Sequence, residues 1–221
     1  YTQNVNGVKR KKQKDGEIRD KLDQVVDQMR RSKIDVYLIQ ETWLEGEENE
    51  YDERQIGEYT VFLHGTHEPH RDKRKGRGRG GVAIFMSPTA KKAWERAGAK
   101  KPVVSGVIGE SARWMGIEMK TDEKKPKNLF VVSAYHPHSG TKDDIVEEYY
   151  EAFDDFISKH NKPHMTVIIG CDANCPLGTT IDDDDEDSEI IGRNGQTLRR
   201  DNESNYHLRS LLHKQQLRAT N

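Results

Sequence analysis

Short apolar runs rich in β-branched residues recur along the chain at Val36–Ile39, Tyr59–Leu63, Val82–Met86, Val103–Ile108, Trp114–Met119, Leu129–Tyr135 and Val167–Ile169. Runs of this length and make-up predict buried strands, about seven of them. Two stretches follow a helical period instead. Ile18, Leu22, Val25 and Met29 fall at i, i+4, i+7 and i+11, and Ile145, Tyr149, Phe153, Phe156 and Ile157 draw a similar stripe. Each predicts a helix with one apolar face turned to a sheet. A weaker stripe of Leu208, Leu211 and Leu212 predicts a third helix from about Ser204 to Leu217. Helices mixed irregularly with strands that follow one another directly point to α and β layers rather than a regular βαβ repeat. No internal repeat and no Pro/Ser-rich linker divides the chain, so residues 1–221 read as a single domain.

Composition sharpens this picture. Hydrophobic and charged residues each make up 33% of the chain, but 36 basic against 38 acidic residues leave a net charge of only −2. Without strong self-repulsion, a polar chain of this kind is expected to fold. No apolar run is long enough to span a membrane, and no charged n-region with an apolar h-region opens the sequence, so neither a membrane partner nor a secretion signal is expected. Cys171 and Cys175 are too few for a disulfide framework and suggest a reducing compartment.

The near-neutral total hides charge blocks. Residues 9–14 and 71–79 are basic, whereas 45–53 and 182–189 are acidic, and blocks of like charge read as solvated loops. Arg74, Lys75, Arg77 and Arg79 form a basic loop leading into Val82–Met86, suited to non-specific phosphate contact through Coulomb attraction and counterion release; a plain solvated loop accounts for them equally well. Gly76, Gly78 and Gly81 satisfy G-x-G-x-x-G but precede a strand rather than a helix, so a dinucleotide site lacks its context. His64, His67 and His70 read as a surface loop. A zinc site built from Cys171, Cys175, His136 and His138 is disfavoured, and Asp182–Asp187 lacks the spacing of a calcium loop.

Two apolar runs end in chemistry. Val36–Ile39 is followed by Gln40-Glu41-Thr42-Trp43, and Val167–Ile169 by Gly170-Cys171-Asp172-Ala173-Asn174. A carboxylate just past a buried strand is fixed at the rim of a sheet. Gly170 permits a turn or a close backbone approach, and Asp172 and Asn174 share one side if the segment is extended. Glu41 and Asp172 suit Mg²⁺, a hard cation that takes one or two protein carboxylates together with water and substrate phosphate. The ordinary alternative is that each is a solvated strand-end carboxylate.

The order of motifs carries more than any single one. Asn4-Val5-Asn6-Gly7, Gln40-Glu41-Thr42, Ser133-Ala134-Tyr135-His136-Pro137 and Gly170-Cys171-Asp172-Ala173-Asn174 follow in series. The series resembles the endonuclease/exonuclease/phosphatase superfamily with its DNase I-like fold, and within it the apurinic-endonuclease-like domains of non-LTR (LINE-type) retrotransposons. The stretch Gly192-Arg193-Asn194-Gly195-Gln196-Thr197-Leu198 resembles the segment after the Asp/Asn motif of those endonucleases.

The resemblance implies a four-layer α/β sandwich, two mixed β-sheets face to face with outer helices. It also implies Mg²⁺ (or Mn²⁺) as cofactor, DNA as partner and nuclear residence; it names no protein partner. Glu41 would be the principal metal ligand with Asn4 beside metal and phosphate. Tyr135 would hydrogen-bond the phosphate or orient the nucleophile, Asp172 would hold or deprotonate the attacking water, and Asn174 would stabilise phosphate oxygens. Arg113 matches a position that is often basic, and Asn194 and the basic loop are further candidates for DNA contact. His138 stands where the family has Asn, and Cys171 is an addition to the usual Gly-Asp-x-Asn run. The family's C-terminal Asp-His pair does not occur before Asn221, so the chain reads as truncated at both ends, with its last strands missing. The implied activity is nicking of DNA by phosphodiester hydrolysis. A phosphatase or phosphodiesterase acting on a small phosphoester, and a non-catalytic nucleic-acid-binding or decayed fragment, are the alternatives.

Overall fold

The computed structural model describes residues 1–4, 11–12, 18–19, 21–44, 50–65, 80–108, 111–122, 124–175, 177, 190 and 203–220. They divide into two compact units, Tyr1–Tyr135 with Pro163–Asp172, and His136–Lys162 with Ala173–Asn221.

The first unit holds β1 (Thr2–Asn4), β2 (Lys11–Lys12), β3 (Ile18–Arg19), α1 (Lys21–Ser32), β4 (Val36–Gln40), β5 (Asp52–Ile56), β6 (Tyr59–His64), β7 (Val82–Met86), α2 (Pro88–Arg96), β8 (Val103–Val104), β9 (Val107–Ile108), β10 (Ser111–Ala112), β11 (Trp114–Lys120), β12 (Asn128–Tyr135) and β13 (Met165–Asp172). Five strands form a mixed sheet in the order β1-β4-β7-β6-β5, and four form a second in the order β13-β12-β11-β8. β1 with β4 and β12 with β13 are the parallel pairs; the remaining neighbours are antiparallel.

Successive strand side chains point to opposite faces, and here both faces of the first sheet are covered. Tyr37, Ile39, Val61, Ala83 and Phe85 form one core with Leu22, Val25, Val26 and Met29 of α1. Leu38, Phe62, Val82, Ile84 and Met86 form another with Met115, Ile117, Met119, Val131 and Tyr135 of the second sheet. Burial on both faces is why β4, β6 and β7 read as continuous apolar runs rather than alternating ones. The result is a mixed α/β fold in which two mixed sheets share one core, as expected of a DNase I-like architecture.

Several elements differ from their sequence signals. Ile18 shares the helical stripe but lies in β3, where it pairs with Lys12, and the helix starts at Lys21. Asp52 and Glu53 of one acidic block and Lys11 and Lys12 of one basic block are in strands rather than loops. β5 is an exposed strand whose pairing is set by its hairpin with β6, where Gly57 takes the left-handed φ of 59° that a two-residue turn requires. The run Val103–Ile108 splits into β8 and β9. Between them Ser105 is buried, its hydroxyl accepting from the N–H groups of Arg113 and Trp114 at 2.9 and 3.2 Å. His64 is not on the surface: it is 1% exposed, its ring nitrogens 2.7 Å from the Glu50 carbonyl and 2.9 Å from that of Ser105. Burial holds its pKa below the usual imidazole range. The α2 helix has no long apolar stripe; its signal is local, a Ser87 N-cap accepting from Ala90 N at 3.2 Å with Pro88 in the first turn. His67, His70 and residues 71–79 and 182–189 lie outside the described residues.

The second unit contains α3 (Asp143–His160) and α4 (Glu203–Lys214). α3 buries Val146, Tyr149, Tyr150, Phe153, Phe156 and Ile157, and α4 buries Leu208, Leu211 and Leu212. Gln215, just past α4, donates to Asp154 Oδ1 at 2.7 Å and Ser158 Oγ at 2.6 Å on α3. His136 lies among the rings of Tyr149, Tyr150 and Phe153, with centroids 5.2 to 5.6 Å away. No helix among the described residues is long and apolar enough to cross a membrane.

Candidate active site

β4 is an interior strand of the first sheet, and its last residue, Gln40, is 1% exposed. The chain then turns sharply. Glu41 and Trp43 both adopt left-handed backbone angles, φ 56° and 53°. A non-glycine residue there costs about 1 kcal/mol or more, so surrounding structure must hold it. Backbone bonds do so: Thr42 N–H donates to Gly81 O at 3.2 Å and Trp43 N–H to Gly80 O at 2.9 Å. Gly81, at φ 80°, has no room for a side chain, since an added Cβ would stand 2.4 Å from Thr42 Oγ1. The turn leaves Glu41 half-buried at the sheet rim.

β12 brings Tyr135 to the same rim from the second sheet. Its hydroxyl donates to Glu41 Oε1 at 2.8 Å. Among the described residues this is Glu41's one donor, which leaves the other carboxylate oxygen open. The Arg113 guanidinium lies 5.5 Å from the centre of the Tyr135 ring, and Tyr135 N–H donates to Arg113 O at 2.7 Å. Arg113 is itself only 5% exposed and donates from Nε to the Ile108 carbonyl at 3.3 Å. Burial, then the bond to Glu41 and its charge, push the Tyr135 phenol far above its ordinary range; Arg113 opposes this and Asp172 adds to it. Tyr135 thus stands as the donor in its bond to Glu41.

Asp172, half-buried at the end of β13, is the register partner of Tyr135 in the parallel β12–β13 pair. Glu41, Tyr135, Asp172 and Arg113 thus stand together at adjoining strand ends of one unit. Asn4 ends β1, and its backbone pairs with Gln40, one residue before Glu41.

Asn174 and His138 belong to the second unit. Asn174 has φ 52°, so the chain is not extended through it and the shared side expected of Asp172 and Asn174 does not follow; its Nδ2 donates to His136 O at 2.8 Å. His138 is exposed, with Nδ1 accepting from Gly140 N–H at 3.0 Å. Arg74, Lys75, Arg77, Arg79 and Asn194 lie outside the described residues.

Sequence reasoning gave no role to Gln40 or Ser133. Gln40 Nε2 donates to Ser133 Oγ and to Gly170 O, both at 3.1 Å, joining the two sheets just beneath Glu41. The available signal was a polar residue at the end of an otherwise apolar buried run. Gly170 lies within β13 and serves close approach rather than a turn: an added Cβ would meet Leu38 Cδ1 at 2.5 Å and Thr2 Cβ at 3.0 Å.

Among the described residues no three His, Cys, Asp or Glu side chains cluster to hold a metal. Glu41 and Asp172, each half-buried at a strand end beside Tyr135, supply oxygen donors of the kind that suits a hard divalent cation, which keeps water and substrate in its remaining positions.

A model of the endonuclease/exonuclease/phosphatase family matches residues 1–193. The chain belongs to the endonuclease/exonuclease/phosphatase family. The broad chemistry of this family is phosphoester hydrolysis, generally with a divalent metal. Among solved structures, an AP endonuclease from Archaeoglobus fulgidus is similar in fold, with TM-score 0.52 at 16% identity, covering 96% of this chain and 69% of that one. The catalytic domain of Xenopus laevis APE2 gives TM-score 0.48 at 14% identity over 85% of this chain and 61% of that one. No curated protein matches the sequence.

Proposed function

We propose that this family member is a Mg²⁺-dependent endonuclease that nicks DNA by phosphodiester hydrolysis, of the kind found in non-LTR retrotransposons. The observation that carries the reading is the Tyr135–Glu41 hydrogen bond at a rim shared with Asp172. The fold shared with an AP endonuclease supports DNA as the substrate, and the order of motifs supports the retroelement kinship.

Glu41 would hold the metal, and by the family resemblance Asn4 would stand beside it. The bound cation would neutralise charge developing on the phosphate oxygens. Phosphoryl transfer asks the protein mainly for positioning and charge stabilisation. Tyr135 keeps the Glu41 carboxylate in one orientation. Asp172 accepts a proton from the attacking water, whose oxygen bonds to phosphorus as the sugar oxygen departs with the electrons of the broken P–O bond. Arg113 supports the Tyr135 ring and adds positive potential from a buried position. By the family resemblance, Asn174 and His138 would be further candidates for phosphate contact, and Asn194 with Arg74, Lys75, Arg77 and Arg79 for contact with the duplex backbone.

Supercoiled plasmid is the direct test. Nicking with Mg²⁺, its loss on chelation, and a fall of about 100-fold or more in Glu41→Gln are expected. An intact plasmid together with turnover of a small phosphoester, or DNA retention that is indifferent to chelator, would overturn the reading.

A further inference from the structure

We infer that Gln40 is the positioning residue of this site, its side-chain amide holding the strand ends that carry Asn4, Glu41, Tyr135 and Asp172 in one register. The catalytic meaning of this rests on the endonuclease reading above; the geometric content does not. An amide buried as deeply as that of Gln40 is costly unless its hydrogen bonds are made, and here they are. Its Oε1 accepts from Thr2 Oγ1 at 3.1 Å, and its Nε2 donates to Ser133 Oγ and Gly170 O. Ser133 Oγ donates onward to Ile39 O at 3.0 Å. The network therefore closes over β1, β4, β12 and β13, two strands from each sheet.

The placement of these partners singles the network out. Thr2 is two residues before Asn4, Ser133 two before Tyr135, and Gly170 two before Asp172, while Gln40 directly precedes Glu41. Residues two apart on a strand share a face and are separated by about 7 Å. Each partner of Gln40 thus stands one rung beneath a candidate site residue. The missing Cβ of Gly170 belongs to the same device, because an added Cβ would stand 2.5 Å from Leu38 Cδ1 and 3.0 Å from Thr2 Cβ, where the strand approaches closely enough for its carbonyl to reach Gln40. An apolar side chain of similar length would fill the volume but leave the register of the four strand ends to non-directional packing, whereas a satisfied buried network specifies one arrangement.

The test compares Gln40→Met, Ser133→Ala and Glu41→Gln with the parent chain. The Cζ resonance of Tyr135, assigned by its loss in Tyr135→Phe, reports the bond to Glu41 directly. It is expected to move in Gln40→Met in the same direction as in Glu41→Gln, and less in Ser133→Ala. Mn²⁺ affinity, titrated by electron paramagnetic resonance on folded protein, is expected to weaken about 10- to 100-fold in Gln40→Met, with kcat for nicking falling and KM held. A Tyr135 resonance unchanged in folded Gln40→Met overturns the inference. So does unchanged Mn²⁺ affinity and kcat per folded molecule with only a lower melting point. If the parent chain neither binds Mn²⁺ nor nicks DNA, the endonuclease reading fails and the Tyr135 resonance alone decides whether Gln40 positions the strand ends. Should Gln40→Met not fold, Ser133→Ala carries the same comparison, and its failure to shift the resonance is equally decisive.

Discussion

Tyr135 donates its phenolic proton to Glu41 from 94 residues further along the chain, at 2.8 Å and across the two sheets of the sandwich. The bond orients one carboxylate oxygen, and among the described residues no donor meets the other. Removing the donor leaves a half-buried carboxylate free to rotate. Tyr135→Phe is therefore expected to lower plasmid nicking about 10- to 100-fold, the usual effect of losing a group that orients a metal ligand. Nicking rates at saturating and limiting Mg²⁺ check this, with most of the loss expected at limiting Mg²⁺.

Gly170→Ala places a methyl group 2.5 Å from Leu38 Cδ1 and 3.0 Å from Thr2 Cβ. The Leu38 tip can rotate away, but the Thr2 contact lies next to the backbone of β1 and yields less. Overpacking of this kind costs about 1–3 kcal/mol. Urea unfolding should show a lower midpoint with an unchanged slope; an unchanged midpoint would mean that the sheets separate there without cost.

Tyr37 is fully buried and its phenol is pushed up to about 12, chiefly by burial and then by the neighbouring Tyr1. The folded chain holds this proton more tightly than the unfolded chain, whose tyrosines ionise near pH 10. Its contribution to stability is complete below about pH 10 and falls as pH rises towards 12. Tyr135, shifted in the same direction, adds to the trend. Urea midpoints measured at pH 8 and pH 11 should fall with pH, and the fall should be smaller in Tyr37→Phe.

Ser87 makes two contacts through one hydroxyl: it accepts from Ala90 N at the start of α2 and donates to Asp35 Oδ1 at 2.6 Å. Ser87→Ala is expected to cost about 1 kcal/mol, the usual loss for an N-cap. Thermal unfolding measures it. Ser87→Gly, which removes the same side-chain bonds but suits a cap backbone better than Ala, should be less harmful.

The pattern of side chains by itself determined what is local. Val82–Met86 is read from sequence with its observed bounds because both faces of β7 are buried, so every position is apolar. The α3 stripe from Ile145 to Ile157 likewise reports a helix with one buried face. Short or polar elements escaped this logic. α2 has too few apolar residues to show a period, β5 exists through its hairpin with β6, and Ile18 fits a helical stripe while its backbone pairs in a ladder. Glu41 and Asp172 were legible as carboxylates at the ends of apolar runs. Their neighbours were not: Gln40 reaches Ser133 and Gly170 across 93 and 130 residues, and His64 reaches the Ser105 carbonyl across 41. Periodicity records which face of a segment is apolar, but it carries no information on which strand lies opposite or in what register. Those were decided by the packing of one sheet on the other, where Gly170 permits close approach and the buried Gln40 amide finds its partners.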